Sequence, residues 1–268
     1  MGAAGDGNDS MPTGRAVGSG PSRRLYSVPL VVAVTGHRDL LPDEIPAIRQ
    51  RVRAFLEGLR SQSPDRDILL MSPLAEGADR LAAEEALELG LPLTVILPMP
   101  RQQYLDDFAT EDSRAQFERL CSRATDVFEL PLTPGNNLAL NQGQGPNRSR
   151  QYAQAGVFLS AHCHILLALW DGNETDSLGG TAQVVRFHQD DVMPGYTPSA
   201  ATSRISLTDD ESDLVYHIVC SRSRPGGGLA SGLRPLDCWW FTRDEQAPRT
   251  TELPERYRVI FARTNEFN

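Results

Sequence analysis

Five consecutive apolar residues, Leu30-Val31-Val32-Ala33-Val34, lead without a polar interruption into the turn Thr35-Gly36-His37-Arg38. A strand with one wet face alternates apolar and polar residues, so this unbroken run predicts a strand buried on both faces, as in a parallel sheet covered by helices. The chain beyond Arg38 keeps that rhythm. A helix is expected over 44–61, where Ile45, Ile48, Val52, Phe55, Leu56 and Leu59 fall on one stripe. A strand over 68–71 then leads into an Ala- and Glu-rich helix that Gly90 would cap. A strand over 93–97 stops at Pro98-Met99-Pro100, and a charged helix over 111–123 and a short strand near 127–130 come next. After a loop over 131–147, Ser149 would cap a helix to about 161. The run ends with a strand over 164–170, a helix from Gly179-Gly180-Thr181 to 188, and a strand over 214–220. Strand and helix alternating at this spacing predict an α/β chain: a Rossmann-like three-layer αβα fold with a mostly parallel sheet.

The length of 268 residues, 40% of them hydrophobic, suits one core domain better than two equal ones. Residues 1–27, rich in Gly, Ser, Pro and Asp, lack both the apolar content to offset ordering entropy and the apolar stretch of a signal peptide, so they read as a disordered tail. Residues 28–222 read as the pocket domain. Residues 223–268 read as an extended segment leading toward a missing downstream region, with Trp239-Trp240-Phe241 and 257–261 able to dock.

All 26 basic residues are arginine. Without lysine there is no P-loop lysine, no Schiff base and no lysine general base. The formal charge of -9 argues against a broad electrostatic grip on nucleic acid, so no nucleic acid is expected among the partners, although a small cationic pocket stays open. Cys121, Cys163, Cys220 and Cys238 form no CxxC pair, so they read as buried thiols of a reducing cytoplasm, and no metal or cofactor is expected. The longest apolar runs fall far short of the roughly 20 residues of a membrane helix, so no membrane contact is expected from this segment.

Ligands of an open parallel sheet sit outside the carboxyl ends of its strands, so the turns after the strands carry the functional reading. At the first, Gly36 lets a ligand approach the backbone, Thr35 and His37 offer donors, and Arg38 offers a planar fork for phosphate; the competing reading is a tight turn with a solvated arginine. At the second, Glu76-Gly77-Ala78-Asp79-Arg80 opens a helix. Asp79 there reads equally well as a cap, and Glu76 as an acid, a base or a ribose ligand. At the third, Gly179-Gly180-Thr181 would place free amides at a helix start, a ready anion site, though a mobile loop also uses Gly-Gly. His162 and His164 fall at the opposite end of the sheet, where a buried or edge histidine is the commoner reading than a metal ligand. Gln151, Tyr152 and Gln154 could cover a base or simply belong to an amphipathic helix.

Taken together, Val34-Thr35-Gly36-His37-Arg38, Glu76-Gly77-Ala78-Asp79-Arg80 and Gly179-Gly180-Thr181, spread over residues 30–220, resemble the SLOG superfamily. That group includes the lonely-guy phosphoribohydrolases, the DprA proteins and the ligand-binding N-terminal region of TRPM channels. The resemblance implies a pocket for a nucleotide or nucleotide-derived molecule, with the Gly-Gly-Thr turn on its phosphate, and a link to bacterial immunity signalling. Some members precede membrane helices, and a chain stopping at Asn268 resembles the cytoplasmic part of a longer, membrane-anchored protein. One departure bears on activity. The phosphoribohydrolases carry Pro-Gly-Gly-x-Gly-Thr-x-x-Glu, and alignment on Gly180-Thr181 puts Val184 at the glutamate and Asp176 at the proline.

Three functional expectations compete. The leading one is a sensor domain, without turnover, in which Gly36, Arg38 and the 179–181 turn hold a phosphorylated signal that regulates an attached effector. The second is an N-glycosidase with Glu76 as its carboxylate. The third is a non-catalytic assembly module that uses Trp239-Trp240-Phe241, with a homo-oligomer among its forms.

Overall fold

The computed structural model describes residues 28–197, 213–244 and 249–267. The tail expected over 1–27, and most of the stretch before the strand at 214–220, lie outside the described residues. Seven strands form one sheet: β1 Leu30–Gly36, β2 Ile68–Ser72, β3 Leu93–Leu97, β4 Asp126–Glu129, β5 Ile165–Trp170, β6 Val215–Val219 and β7 Cys238–Phe241. Their order is β4-β3-β2-β1-β5-β6-β7, and every pair is parallel except the antiparallel β6 and β7. This is the expected Rossmann-like α/β arrangement, and its inner strands are buried on both faces: all residues of β3 and β5 are buried.

Helices cover both faces. On one lie α1 Ile45–Gln62, α2 Ala78–Glu88 and α4 Glu111–Arg123, with the short α3 Arg101–Tyr104 between α2 and α4 in sequence. On the other lie α5 Pro146–His162 and α6 Thr181–Asp190. Alternation along β1 assigns its side chains: Leu30, Val32 and Val34 join the core under α1 and α2, and Ala33 joins the core under α5 and α6. Ile48, Val52, Phe55, Leu56 and Leu59 of α1 are buried, as their stripe requires.

Local differences have local causes. Helix α5 starts at Pro146, whose fixed φ suits a first helical position, so Ser149 lies inside the helix and its amide donates to Gly145 O at 2.9 Å. Strand β4 is the sheet edge and all four of its residues are exposed. Residues 223–268, read as extended, contain β7 and a last helix, α7 Glu255–Phe267. The tryptophan segment read as a docking surface is part of the sheet: Trp240 is buried against Phe55 and Tyr216, which themselves stack with ring centroids 4.2 Å apart. Such aromatic pairs add to the apolar area that holds an edge strand in place.

Candidate functional site

Strands β2, β3 and β4 extend the sheet to one side of β1, and β5, β6 and β7 to the other, so the topological switch lies between β1 and β5. A crevice of about 580 Å³ opens at the carboxyl ends of these two strands, where such sheets hold ligands. Thr35, Gly36, His37 and Arg38 form its floor, Gly179, Gly180 and Thr181 one wall, and Asp79 enters from α2. Glu76, Gly77 and Arg80 are not among the lining residues.

Packing explains the glycines as firmly as ligand approach does. A Cβ on Gly36 would stand 2.4 Å from the Ala78 Cβ and 2.7 Å from Leu169 O, because β1, α2 and β5 meet there. Gly77 has φ +78°, and a Cβ would stand 2.4 Å from Arg38 O, so the two strand-to-helix turns are pressed together. The Ala78 amide closes them by donating to His37 O at 3.0 Å. Gly179 has φ +76° and backs onto α5, 2.6 Å from Ala153 N for a Cβ. The amide of Gly180 is not free: it donates to Ser177 O at 2.9 Å. Helix α6 starts at Thr181, and no side chain caps that start among the described residues.

His37 is mostly occupied by the fold. Its Nε2 lies 3.1 Å from the Asp171 amide nitrogen and 3.2 Å from the Asp171 carboxylate. Burial pulls its pKa below the usual histidine range, with Asp171 opposing. For Asp171 burial acts to raise the pKa, but the Asn173 amide and the His37 ring outweigh it and leave the carboxyl below its ordinary value.

Around Arg38 a network forms that sequence reasoning missed. Asp107, 1% exposed, accepts from Arg148 Nε and Nη2 at 3.0 and 2.8 Å and from the Tyr152 hydroxyl. Arg38 reaches the same carboxylate at 3.6 Å, stacks over the Tyr152 ring at 5.3 Å and keeps 41% of its side chain exposed. Arg148 is instead buried and saturated, with further bonds to Asn141 O and Gln103 O. No local signal marks Asp107, since it lies in a short charged turn whose partners are 41 and 45 residues away. Arg222, held by Asp39, and Arg224 complete the cationic rim.

Of the two carboxyls expected at the second turn, one lines the crevice and the other does not. Asp79 lines the crevice, and burial raises its pKa to about 7 against Arg38 and the Ala75 amide. Glu76 points toward α4 and accepts from the Ser113 hydroxyl. Arg80 is likewise turned away, bonding Leu74 O, Ser113 and Gln116. Val184, at the position of the hydrolase glutamate, is buried at the α5–α6 contact, where a Cβ on Gly156 would stand 2.5 Å from its Cγ2. On the opposite end of the sheet, His164 Nδ1 accepts the Val31 amide at 3.0 Å. Gln151 is turned inward, bonding Thr133 N and Pro98 O.

Fold and crevice together define a Rossmann-like α/β protein with a polar, arginine-rimmed opening at its switch point. No protein-family model matches the chain, and no curated protein matches it. Among solved structures, DNA processing protein A (DprA) from Streptococcus pneumoniae is 17% identical over 52% of this chain and 41% of that one, with a TM-score of 0.32. The Helicobacter pylori DprA, described for its single-stranded DNA binding mode, is 15% identical over 60% of this chain and 61% of that one, at 0.36. The chain thus spans less than two thirds of either structure, and no site residue is carried over from them. The exclusion of nucleic acid nevertheless has to be withdrawn. A net charge summed over the whole chain says nothing of a crevice rimmed by Arg38, Arg222 and Arg224. No helix among the described residues is long and apolar enough to cross a membrane.

Proposed function

We propose that the crevice binds a phosphorylated, nucleotide-derived small molecule, and that the chain is a SLOG-type sensor whose occupancy regulates an attached effector, as in prokaryotic nucleotide signalling. One observation carries this reading: the uncapped start of α6 and three arginine side chains converge on one crevice at the topological switch. In this arrangement the Thr181 end of α6 and Arg38 face the phosphate, and Tyr152 beneath Arg38 offers a ring against which a base can stack. The binding unit spans residues 28–222 and takes Arg224 from the segment 223–268. Calorimetry against ADP-ribose, its cyclic form and cyclic oligonucleotides tests the proposal, with a single-stranded oligodeoxynucleotide as a separate arm. Binding of at least one of the small ligands is the expected result; none binding would sink it.

A hydrolytic reading has one observation in its favour, the buried Asp79 carboxyl with its pKa near 7 in the crevice, where a general acid belongs. In that reading Asp79, rather than Glu76, supports N-glycosidic cleavage. Base release that persists in Asp79→Asn but vanishes in Glu76→Gln would reverse the assignment.

A further inference from the structure

A second cavity, of about 640 Å³, lies beyond Arg38 on the α4 side of the molecule. Arg38 lines both this cavity and the crevice. Its other cationic walls are Arg80 and Arg119, with Ser113 and Gln116 between them. Arg80 is 2% exposed, and its guanidinium donates through Nε to Leu74 O at 3.0 Å and through Nη1 to Ser113 O, Ser113 Oγ and Gln116 Oε1 at 2.8–3.0 Å. Its Nη2 is buried with no hydrogen-bond partner. A buried guanidinium hydrogen without an acceptor is costly, and here the guanidinium lies over the Phe108 ring, 4.3 Å from its centroid. Arg119 is 60% exposed and, among the described residues, forms an ion pair only with Glu84, at 4.0 Å, so its fork is open to a ligand.

The carboxylates in the same cavity are Glu76 and Asp112. Glu76 is engaged by the Ser113 hydroxyl, and Asp112 sits in the first turn of α4, where the helix dipole favours it. Three arginines thus line the cavity with these two carboxylates, while Arg38 also reaches Asp107 at 3.6 Å and Arg119 reaches Glu84 at 4.0 Å. Burial is the main influence that lowers the pKa of Arg80, with Glu76 opposing it and Arg38 adding to it.

We propose that this second cavity is a phosphate subsite, and that the ligand of the crevice carries two separated phosphate groups, one on each side of Arg38, as a linear dinucleotide does. This rests on the crevice being the nucleotide site. Calorimetry with adenosine 5′-monophosphate and with the 5′-phosphorylated dinucleotide pApA separates the two ideas. The dinucleotide should bind the wild-type chain at least about tenfold more tightly, the scale of one charge-assisted contact. Arg119→Ala should remove most of that margin while leaving the monophosphate within about twofold, and Arg119→Lys should restore part of it. Equal affinity of both ligands for the wild type, or an equal loss of both in Arg119→Ala, overturns the subsite alone. If neither ligand binds, the subsite falls, and the crevice reading falls with it only where ADP-ribose and the cyclic ligands fail as well.

Discussion

His37 Nε2 lies within 3.2 Å of both the amide and the carboxylate of Asp171, so one imidazole joins the end of β1 to the end of β5 across the switch point. The neutral ring accepts the Asp171 amide, and the protonated ring would turn its proton on the carboxylate. Burial favours the neutral form. His37→Ala should therefore cost about 1–3 kcal/mol through the unsatisfied amide it leaves, read as a lower urea midpoint with an unchanged m-value. An unchanged midpoint would show that the tie carries no stability.

Three further histidines set an acid limit. Burial holds His164, His188 and His217 at about 4, below the ordinary 6.5. Between those values the unfolded chain binds protons that the folded chain refuses, so stability falls as pH drops from about 6.5 toward 4. Each histidine contributes at most about 1.4 kcal/mol per pH unit in that window. Asp79 acts the other way, since its folded pKa of about 7 makes the native state the one that holds the proton. Unfolding free energies should thus decline on acidification in the wild type and decline more steeply in Asp79→Asn. A flat profile from pH 7 to 4 would contradict the histidine assignments.

Asp107 is shared by one structural arginine and one exposed arginine, and their removal should separate stability from binding. Arg148→Met leaves a carboxylate 1% exposed without its main partner and should cost about 3–5 kcal/mol, measured by thermal or urea unfolding. Arg38→Ala should leave stability within about 0.5 kcal/mol and lower ligand affinity about ten- to a hundredfold in calorimetry. Equal destabilisation by both substitutions would refute this division of roles.

Helices α5 and α6 approach closely because Gly156 faces Val184. Gly156→Ala places a methyl 2.5 Å from Val184 Cγ2, too close without movement, and should cost about 1–3 kcal/mol. Val184→Ala in the same chain should recover part of that loss. The coupling energy of the double-mutant cycle measures the contact, and a value near zero would mean that the helices separate freely.

The elements were legible because their signals are local. Unbroken apolar runs mark strands β1 and β5, a 3.6-residue stripe marks α1, and glycine and proline mark the breaks, all within a dozen residues of chain. The Thr35-Gly36-His37-Arg38 and Gly179-Gly180-Thr181 turns meet at one crevice for the same reason, since strand ends in a parallel sheet fall on one edge. The partner of each charged side chain was decided elsewhere. Glu76 and Asp79 are three residues apart on one turn, yet Asp79 enters the crevice and Glu76 meets α4, because the position of Ser113, 37 residues on, determines which of them has a partner outside. Asp107 became the hub beneath Arg38 only when the loop before α4 met the start of α5. Periodicity specifies which face of an element is buried; the partner of a polar group inside that burial depends on chain segments far away in sequence, and only the packed tertiary structure brings them together.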